Sequence, residues 1–418
     1  MPRAWLIWSL SALFMFYKYA IEVSPSVMAL DLMAEFSLSG AAMGNLAASY
    51  FYAYLLFQIP AGLLIDRWGP RKVTTAAIIF CSFGTYLLSF AASFEMALLG
   101  RFIAGIGAAF AALNCLKLIA NWFPAGRFAL MAGLMMSVGM LGAVGGQAPL
   151  SHFISFLGWR YAMAALALIG LTLAVFFVLI VRDRAPHHKR LDVMPKPLRV
   201  KAGLKSIIKS PQSWALSFYS GFAFAPVSAF GGLWAIPFLQ EAYSHSPMMA
   251  ARGASLIFIG FAIGAPFFGW FSDYLGKRRP VMAWGTAAGG LSLALVLYLP
   301  NLPAYGMFLF LFCFGFFISS FLLCFTMMKE IHSPIVAATA IGFMNGFDAL
   351  FGALSDFLTG KVLDVLWTGE FASGARLFST SAYHWALAIL VAYLAISLFC
   401  LARVKESFCK EAAPSSLP

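Results

Sequence analysis

Two stretches of the chain follow one pattern, Gly62-Leu-Leu-Ile-Asp66-Arg67-Trp-Gly69-Pro70-Arg71-Lys72 and Gly269-Trp-Phe-Ser-Asp273-Tyr-Leu-Gly276-Lys277-Arg278-Arg279. Each stretch ends one long apolar run and begins another, so each is predicted to be a short basic loop between two membrane helices. The two copies lie about half the chain length apart. A repeat at that offset indicates that the protein consists of two related halves.

The composition is that of an integral membrane protein. The chain has 418 residues, of which 62% are hydrophobic and 11% charged, whereas a soluble domain carries about 25% charged residues. Apolar runs of about 20 residues recur, as spanning helices require, while barrel strands need only about ten alternating residues. The predicted class is therefore an all-α integral membrane protein. The six cysteines show no metal or disulfide spacing, so we expect free thiols, no metal and no cofactor.

Charge clusters, prolines and glycines divide the sequence into twelve predicted spans. The spans lie near 5–30, 41–65, 73–93, 96–121, 128–155, 160–181, 213–239, 253–272, 281–299, 304–327, 336–363 and 383–402. The predicted domains are an N-terminal six-helix bundle over 1–181, a cytoplasmic linker over 182–212, a C-terminal six-helix bundle over 213–403 and a cytoplasmic tail over 404–418. The basic, proline-containing linker falls at the midpoint, as a connection between two halves should.

Lysine and arginine are distributed unequally between alternate loops. One set of loops, together with both termini, carries 21 of the 28 basic residues, the other set carries four, and three lie within spans. Because basic residues concentrate on the cytoplasmic side of membrane proteins, both termini, the linker and the repeated loops are predicted to be cytoplasmic. This topology explains the net charge of +12, and we expect no nucleic-acid partner.

These features resemble the major facilitator superfamily of secondary transporters. The resemblance rests on twelve spans in two related halves and on an Asp-x-x-Gly-x-Arg-Lys loop after spans two and eight. Further matching stretches are Leu99-Gly100-Arg101-Phe-Ile-Ala-Gly105-Ile-Gly107, Asn121-Trp122-Phe123-Pro124 followed by Arg127 and Gly133, and Gly158-Trp159-Arg160. The resemblance implies two six-helix bundles, related by pseudo-twofold symmetry, that open a central site alternately to the two sides of the membrane. It does not indicate the substrate.

The repeated loops also suggest a mechanical role. Asp66 and Asp273 end helices beside basic clusters, where a carboxylate can accept hydrogen bonds from a neighbouring helix N-terminus and pair with arginine. We therefore predict a latch that holds the two halves together in one state; membrane topology and helix packing are the alternative explanation. Its predicted members are Gly62, Asp66, Arg67, Gly69, Arg71, Lys72, Gly269, Asp273, Gly276, Lys277, Arg278 and Arg279.

Span five contains a glycine-rich stretch, Gly139-x-x-Gly142-x-x-Gly145-Gly146-Gln147-Ala-Pro149. It partly resembles a motif of drug/proton antiporters, in which a Gly-Pro pair precedes the later glycines; here Pro149 follows them. Close packing of helices through small residues is the favoured explanation, and export is the alternative.

Ionisable residues within predicted spans are candidate functional groups, because charges in a membrane are costly and usually face a cavity or a partner. Lys18 and Glu22 lie about one turn apart on span one and share a face. We predict that Glu22 carries a proton and that Lys18 then meets an anionic group; a purely structural ion pair is the alternative. In span four, the family resemblance favours Arg101, while Asn114 and Lys117 share another face.

Span eleven carries Asn345 and Asp348, three residues apart. Asp348 lies near mid-span without a basic neighbour in its own helix, so it is a candidate for proton coupling or for a substrate amine; a hydrogen-bonded packing residue is the alternative. Asp356, nearer the outer end, ranks below it. Span seven is interrupted by glycine and proline, as in a gating helix. Aromatic residues that are candidates to line a cavity are Tyr17, Tyr50, Tyr54 and Tyr219, and packing in the core or against lipid is the alternative.

The sequence thus predicts a transporter and not an enzyme, since it contains no nucleophile-base set and no cofactor loop. The mixed charges within spans favour a small anionic or zwitterionic solute, such as a carboxylate, amino acid, dipeptide or sugar phosphate. We expect it to cross a bacterial inner membrane with protons or another ion, through a monomer embedded in the lipid bilayer. An efflux antiporter for amphipathic compounds and a solute receptor without transport are the alternatives.

Overall fold

A computed structural model describes residues 2–124, 127–183, 205–300, 302–332 and 336–408. This part of the chain forms twelve long helical segments and one short hairpin. The first six helices are α1 (Pro2–Val23, Ser24–Met28 and Ala29–Glu35), α2 (Gly40–Trp68), α3 (Pro70–Ser89), α4 (Phe94–Ala109 and Ala111–Trp122), α5 (Phe128–Gly145 and the first part of Ala148–Ile180) and α6 (the remainder of Ala148–Ile180). The next five are α7 (Pro211–Pro226, Val227–Trp234 and Ala235–Tyr243), α8 (Pro247–Leu275), α9 (Arg279–Tyr298), α10 (Ala304–Ile318, Ser319–Leu322 and Leu323–Ile331) and α11 (Ala337–Val365). They are followed by the antiparallel strands β1 (Phe371–Ala372) and β2 (Ala375–Arg376) and by the last helix, α12 (Thr380–Ala402). These helices correspond in number and order to the predicted spans.

The helices have the length and composition of membrane spans. Nine helical stretches of the described chain are long and apolar enough to cross a bilayer. One of them, Leu130–Ile180, contains both α5 and α6, which are separated by a turn at Gly158, where φ is +77°. The helices α2 and α11 add 29 residues each, and a span needs about 20. The protein is therefore a multi-pass membrane protein.

Proline and glycine explain where individual helices are interrupted. The helix α1 tightens into a 3-10 segment, Ser24–Met28, at Pro25, which has no N–H to donate to the carbonyl of Ile21. The helix α7 widens into a π-helical segment, Val227–Trp234, directly after Pro226. Segments of this kind are rare and often mark functional sites. The break in span seven that the sequence predicts is thus present.

The helices form two compact units by their contacts. Unit 1 contains α1–α6, the end of α7, the beginning of α8, the end of α11, the hairpin and the beginning of α12. Unit 2 contains the beginning of α7, most of α8 and α11, all of α9 and α10, and the rest of α12. The division into an N-terminal bundle, a linker, a C-terminal bundle and a tail stays a prediction, and most of the linker and tail lies outside the described residues.

The glycines of span five pack α5 against α1 within unit 1. A Cβ on Gly142 would overlap the backbone of Phe16, and a Cβ on Gly146 would overlap the carbonyl of Ala20. Small residues let two helix backbones approach in this way. The packing explanation of this stretch therefore has direct structural support.

Candidate functional site

A buried charged cluster lies in unit 1 near the end of the first segment of α1. Lys18 and Glu22 form an ion pair, and both side chains are more than nine-tenths buried. The Lys18 ammonium lies 3.8 Å from the ring centroid of Tyr19 and 5.3 Å from that of Tyr54. Aromatic faces attract a cation where water is excluded. Lys18 is thus held between a carboxylate and two aromatic rings.

Arg101 of α4 reaches the same part of α1 and is 2% exposed. Its guanidinium donates hydrogen bonds to the carbonyls of Ile21 (2.6 Å) and Glu22 (3.2 Å). The Ile21 carbonyl, which also accepts from the Ser24 hydroxyl at 2.9 Å, is open to Arg101 because Pro25 cannot donate the usual helical bond. The guanidinium carbon also lies 4.8 Å from the ring centroid of Tyr50, whose hydroxyl donates to the Lys18 carbonyl at 3.4 Å. Arg101 therefore belongs to one site with the Lys18–Glu22 pair.

Asp356 of α11, which the sequence ranks below Asp348, also belongs to this cluster. It is 1% exposed and interacts electrostatically with Arg101 and Glu22. Its backbone carbonyl accepts a 3.4 Å hydrogen bond from the Trp234 indole and lies where a Cβ on Gly44 of α2 would be. An acidic residue in an apolar helix was the available signal. The sequence places Asp356 near the outer end of span eleven, and the packing of α11 on α2 buries it there.

The cluster can bind an anion and a proton together. Its two cations and two carboxylates balance when all four groups are ionised. If Glu22 takes up a proton, Lys18 keeps a positive charge without its partner, and an uncompensated buried charge is costly. An incoming anion can supply the missing negative charge.

A second buried acid lies in unit 2. Asp348 is 5% exposed, and its Oδ1 accepts a 2.6 Å hydrogen bond from the Ser220 hydroxyl of α7. Asn345, one turn earlier, is half-buried. Tyr219 is fully buried and shares a 2.9 Å hydrogen bond with Thr286 of α9. Asn345, Asp348 and Tyr219 therefore all lie in unit 2.

Three further candidates lie apart from the Lys18–Arg101 cluster. Asn114 is fully buried, its amide makes no hydrogen bond within the described part of the chain, and it lies about 20 Å along α4 from Arg101. Lys117, beyond Asn114, is exposed. Tyr17 is buried against Gly170 of α6, where an added Cβ would overlap its ring. Tyr17 thus packs inside unit 1, and its cavity role stays a prediction.

The first repeated loop is tied to the end of α6. Gly69 ends α2 with a φ of +81°, which allows the chain to turn directly into α3. Asp183 accepts a 2.7 Å hydrogen bond from the backbone N–H of Arg71, whose guanidinium donates to the Val178 carbonyl at 2.5 and 3.1 Å. The other members are Arg67 and Lys72, which are exposed, and Gly62, which lies in α2; the side chain of Asp66 is outside the part that the structure describes.

The second repeated loop is centred on a buried arginine. Arg278 donates to Asp273 at 2.6 Å and to Glu330 of α10 at 3.0 Å. Burial by itself would lower the pKa of Arg278, but the hydrogen bonds and charges of Glu330 and Asp273 raise it above its usual value. Asp273 remains largely exposed. The other members are Gly276, with a φ of +63°, Lys277, which is exposed, and Gly269, which lies in α8.

Both halves use a distant carboxylate to cap the helix that follows the repeated loop. Asp183, after α6, caps α3 at Arg71, and Glu406, after α12, accepts 2.9 Å hydrogen bonds from the backbones of Arg278 and Arg279 at the start of α9. A carboxylate at this position satisfies free N–H groups and complements the helix dipole. The sequence predicts this role for Asp66 and Asp273 and gives no signal for Asp183 and Glu406. The latch between the halves stays a prediction.

Unit 1 also contains a close contact between α2 and α11, at the beginning of α2 and the end of α11. A Cβ on Gly360 would overlap the carbonyl of Gly40, so the two backbones touch. Asp364 caps α2 by accepting hydrogen bonds from the N–H groups of Gly40 (2.7 Å) and Ala41 (2.8 Å). Arg376 of the hairpin donates to the same carboxylate at 3.0 Å. We call this set the α2–α11 crossing.

Comparison with known structures and families agrees with this architecture. The chain matches the family described as the Major Facilitator Superfamily over residues 8–251. A bacterial homologue of the human lysosomal transporter Spinster superposes with a TM-score of 0.82 at 20% identity, over 99% of this chain and 100% of that chain. A D-xylose-proton symporter superposes with a TM-score of 0.71 at 16% identity, over 97% and 98%. These likenesses show the fold, and the predicted class of twelve membrane helices in two six-helix bundles is confirmed.

Relatives by sequence are named as transporters. A probable galactarate/D-glucarate transporter of Escherichia coli (strain K12) is 26% identical over 68% of this chain and 67% of its own length. An uncharacterised transporter of Bacillus subtilis (strain 168) is 26% identical over 66% of each chain. A probable sulfoacetate transporter of Cupriavidus necator is 25% identical over 44% of this chain and 43% of its own. The chain thus matches about two thirds of the first two relatives and less than half of the third.

Proposed function

Because the chain belongs to the major facilitator superfamily, we propose that it is a secondary active transporter that carries a small organic anion across the inner membrane by alternating access, together with protons. Relatives named for galactarate/D-glucarate, L-galactonate and sulfoacetate transport support the anionic class. Among the classes left open by the sequence, carboxylates and related organic acids are therefore favoured over amino acids, dipeptides and sugar phosphates.

The observation that carries the proposal is the pair of buried cations in unit 1. Arg101 and Lys18 are both less than a tenth exposed, and a guanidinium binds carboxylate and sulfonate oxygens with two parallel hydrogen bonds. The Nε of Arg101 makes no hydrogen bond within the described chain, so the guanidinium has donor capacity left for a substrate. Tyr50 and Tyr54 supply aromatic surface beside these cations.

Proton coupling follows from the ion pair on α1. While Glu22 is ionised it neutralises Lys18. When Glu22 binds a proton, Lys18 and Arg101 together attract the anion, and the loaded cluster regains its charge balance. Loss of the proton on the opposite side of the membrane restores the ion pair and weakens anion binding. The proton gradient thereby drives uptake of the anion.

The α2–α11 crossing and the repeated loops supply the moving contacts of this proposal. The crossing joins a first-half helix to a second-half helix at the ends that the charge distribution places outside. The repeated loops, at the predicted cytoplasmic ends, form the opposing latch. Both termini are cytoplasmic in this scheme, and the working unit is a monomer.

Counterflow into proteoliposomes tests the proposal. Vesicles containing the purified protein are loaded with galactarate, galactonate or sulfoacetate, and entry of the labelled compound is followed. Galactose serves as the neutral comparison. We expect exchange of at least one of these anions and none of galactose. Replacing Arg101 with glutamine should abolish that exchange, while Arg252→Gln, which alters an exposed arginine, should leave it unchanged.

The alternatives give different results. A receptor would bind an anion, as detected by thermal stabilisation, without exchanging it. An efflux antiporter would expel the anion as protons enter, so an inward proton gradient would not drive uptake. Exchange of galactose, or unchanged exchange in Arg101→Gln, would remove the assignment of an anion site at Arg101.

A further inference from the structure

The carboxyl group of Asp348 is buried in unit 2 among neutral partners. Its Oδ1 accepts the 2.6 Å hydrogen bond of the Ser220 hydroxyl from α7, and Cys324 of α10 interacts with both groups. Within the described chain, neither the helices packed against Asp348 nor its own helix brings a charged group to it. This differs from Glu22, whose carboxylate is paired with Lys18.

The surroundings of Asp348 exclude water. A Cβ on Gly221 would lie 2.9 Å from the carbonyl of Phe347, so α7 and α11 touch directly beside the Ser220–Asp348 hydrogen bond. Aromatic rings fill the same α7–α11 contact, with centroids 5.1 Å apart for Phe218 and Phe347 and 4.2 Å apart for Phe222 and Phe351. A carboxylate at this position therefore has neither solvent nor a cation to stabilise its charge.

An ionised carboxylate in such a site is costly, and the group avoids this cost by binding a proton. We propose that Asp348 is a second proton-carrying site of the transporter, loaded separately from Glu22. The proton binds an Oδ atom of Asp348 from one side of the membrane and leaves from the other, and no other bond changes. This inference rests on the proposed function for the role of that proton in transport.

Ser220 is suited to both protonation states of Asp348. Its hydroxyl lies 2.6 Å from Asp348 Oδ1 and can donate to the carboxylate when the acid is ionised. When the carboxyl group carries the proton, it can donate to the Ser220 oxygen instead, because a serine hydroxyl rotates and both donates and accepts. Cys324 can then exchange a weaker hydrogen bond with Ser220. The hydrogen bond between Ser220 and Asp348 can therefore persist in both protonation states.

A second proton alters the charge moved in each cycle. With Glu22 and Asp348 both loaded, two protons accompany one anion. A doubly charged anion then crosses without net charge, and a singly charged anion carries one positive charge inward. The membrane potential would therefore accelerate uptake of a monoanion and leave uptake of a dianion unaffected.

Infrared spectroscopy tests the proton site without any substrate. Purified wild-type protein and Asp348→Asn are titrated with acid and base, and the carbonyl-stretch band of protonated carboxyl groups is recorded. We expect a band in the wild type that is absent from Asp348→Asn and shifted in Ser220→Ala, which removes the hydrogen bond but not the acid. Asp31→Asn, which alters an exposed acid, should keep the band. Identical spectra for wild type and Asp348→Asn at every pH would overturn the proposal.

The flux ratio tests the role of this proton in transport. In proteoliposomes with an imposed pH gradient, we expect two protons per anion for the wild type and one for Asp348→Asn, which has the shape of the protonated side chain and should still exchange anions. An unchanged ratio in Asp348→Asn would overturn the transport role. Wild-type protein that moves none of the tested anions would contradict the proposed function, and the infrared result would still decide the proton site. Asp348→Glu restores the acid if the asparagine variant is unstable.

Discussion

The position of Arg101 depends on a proline in another helix. Pro25 leaves the Ile21 carbonyl without its helical donor, and Arg101 of α4 donates there together with the Ser24 hydroxyl. The spacing of Lys18 and Glu22 predicts their pairing, because both lie on one helix. The contact of Arg101 with α1 depends on tertiary packing, so the sequence can only mark Arg101 as a buried charge that needs a partner.

The carboxylate of Asp356 should lower the affinity of the site for its anionic substrate. It competes with the substrate for the positive charge of Arg101, so Asp356→Asn should bind the anion more tightly, by about tenfold or ~1.4 kcal/mol. Asp356→Glu keeps the charge and should bind like the wild type. Calorimetry on purified protein measures both values. Weaker binding by Asp356→Asn would show that Asp356 positions Arg101 instead of competing for it.

At the scale of elements, the two repeated loops are predicted as turns by their sequence motif, but the residues that cap the following helices are not. The sequence correctly predicts tight basic turns between α2 and α3 and between α8 and α9. It places the capping acids within the motif, whereas Asp183 and Glu406 come from the ends of α6 and α12. A cap needs only a carboxylate near the free N–H groups, and that residue can stand anywhere in the chain. The repeat therefore identifies the capped helices but not their caps.

The α2–α11 crossing provides a prediction about opening on the predicted outer side. Asp364→Ala removes the carboxylate that caps α2 and pairs with Arg376. Loss of such a cap costs about 1 kcal/mol, so the open population should rise about fivefold. A cysteine introduced at the buried Ala47, in a protein without other cysteines, reports this opening through labelling by a membrane-impermeant thiol reagent. Glu95→Gln, at an exposed residue, should label at the original rate.

For the whole molecule, the contact units cross the boundary between the sequence halves. The end of α11 packs with α2 in unit 1, while the beginning of α11 packs with α7 in unit 2. Asp348 and Asp356, on one helix, thus belong to different clusters. The sequence repeat reflects duplication of one half of the chain, whereas the contacts that define the two units depend on which helix ends pack together. For this reason the sequence predicts twelve spans and two halves but not the grouping of the buried acids.

Binding of the proton and binding of the anion should strengthen each other. Because Glu22 must be protonated before Lys18 is available, anion affinity should rise as the pH falls, by at most about tenfold per pH unit for one coupled proton. By the same coupling, adding the anion to weakly buffered protein should take up protons, which a pH indicator measures. Glu22→Gln resembles the protonated state and should bind the anion equally well at every pH at which the anion stays fully ionised. A pH-independent affinity in the wild type would show that Lys18 and Glu22 form a structural pair, and proton coupling would then have to lie elsewhere in the chain.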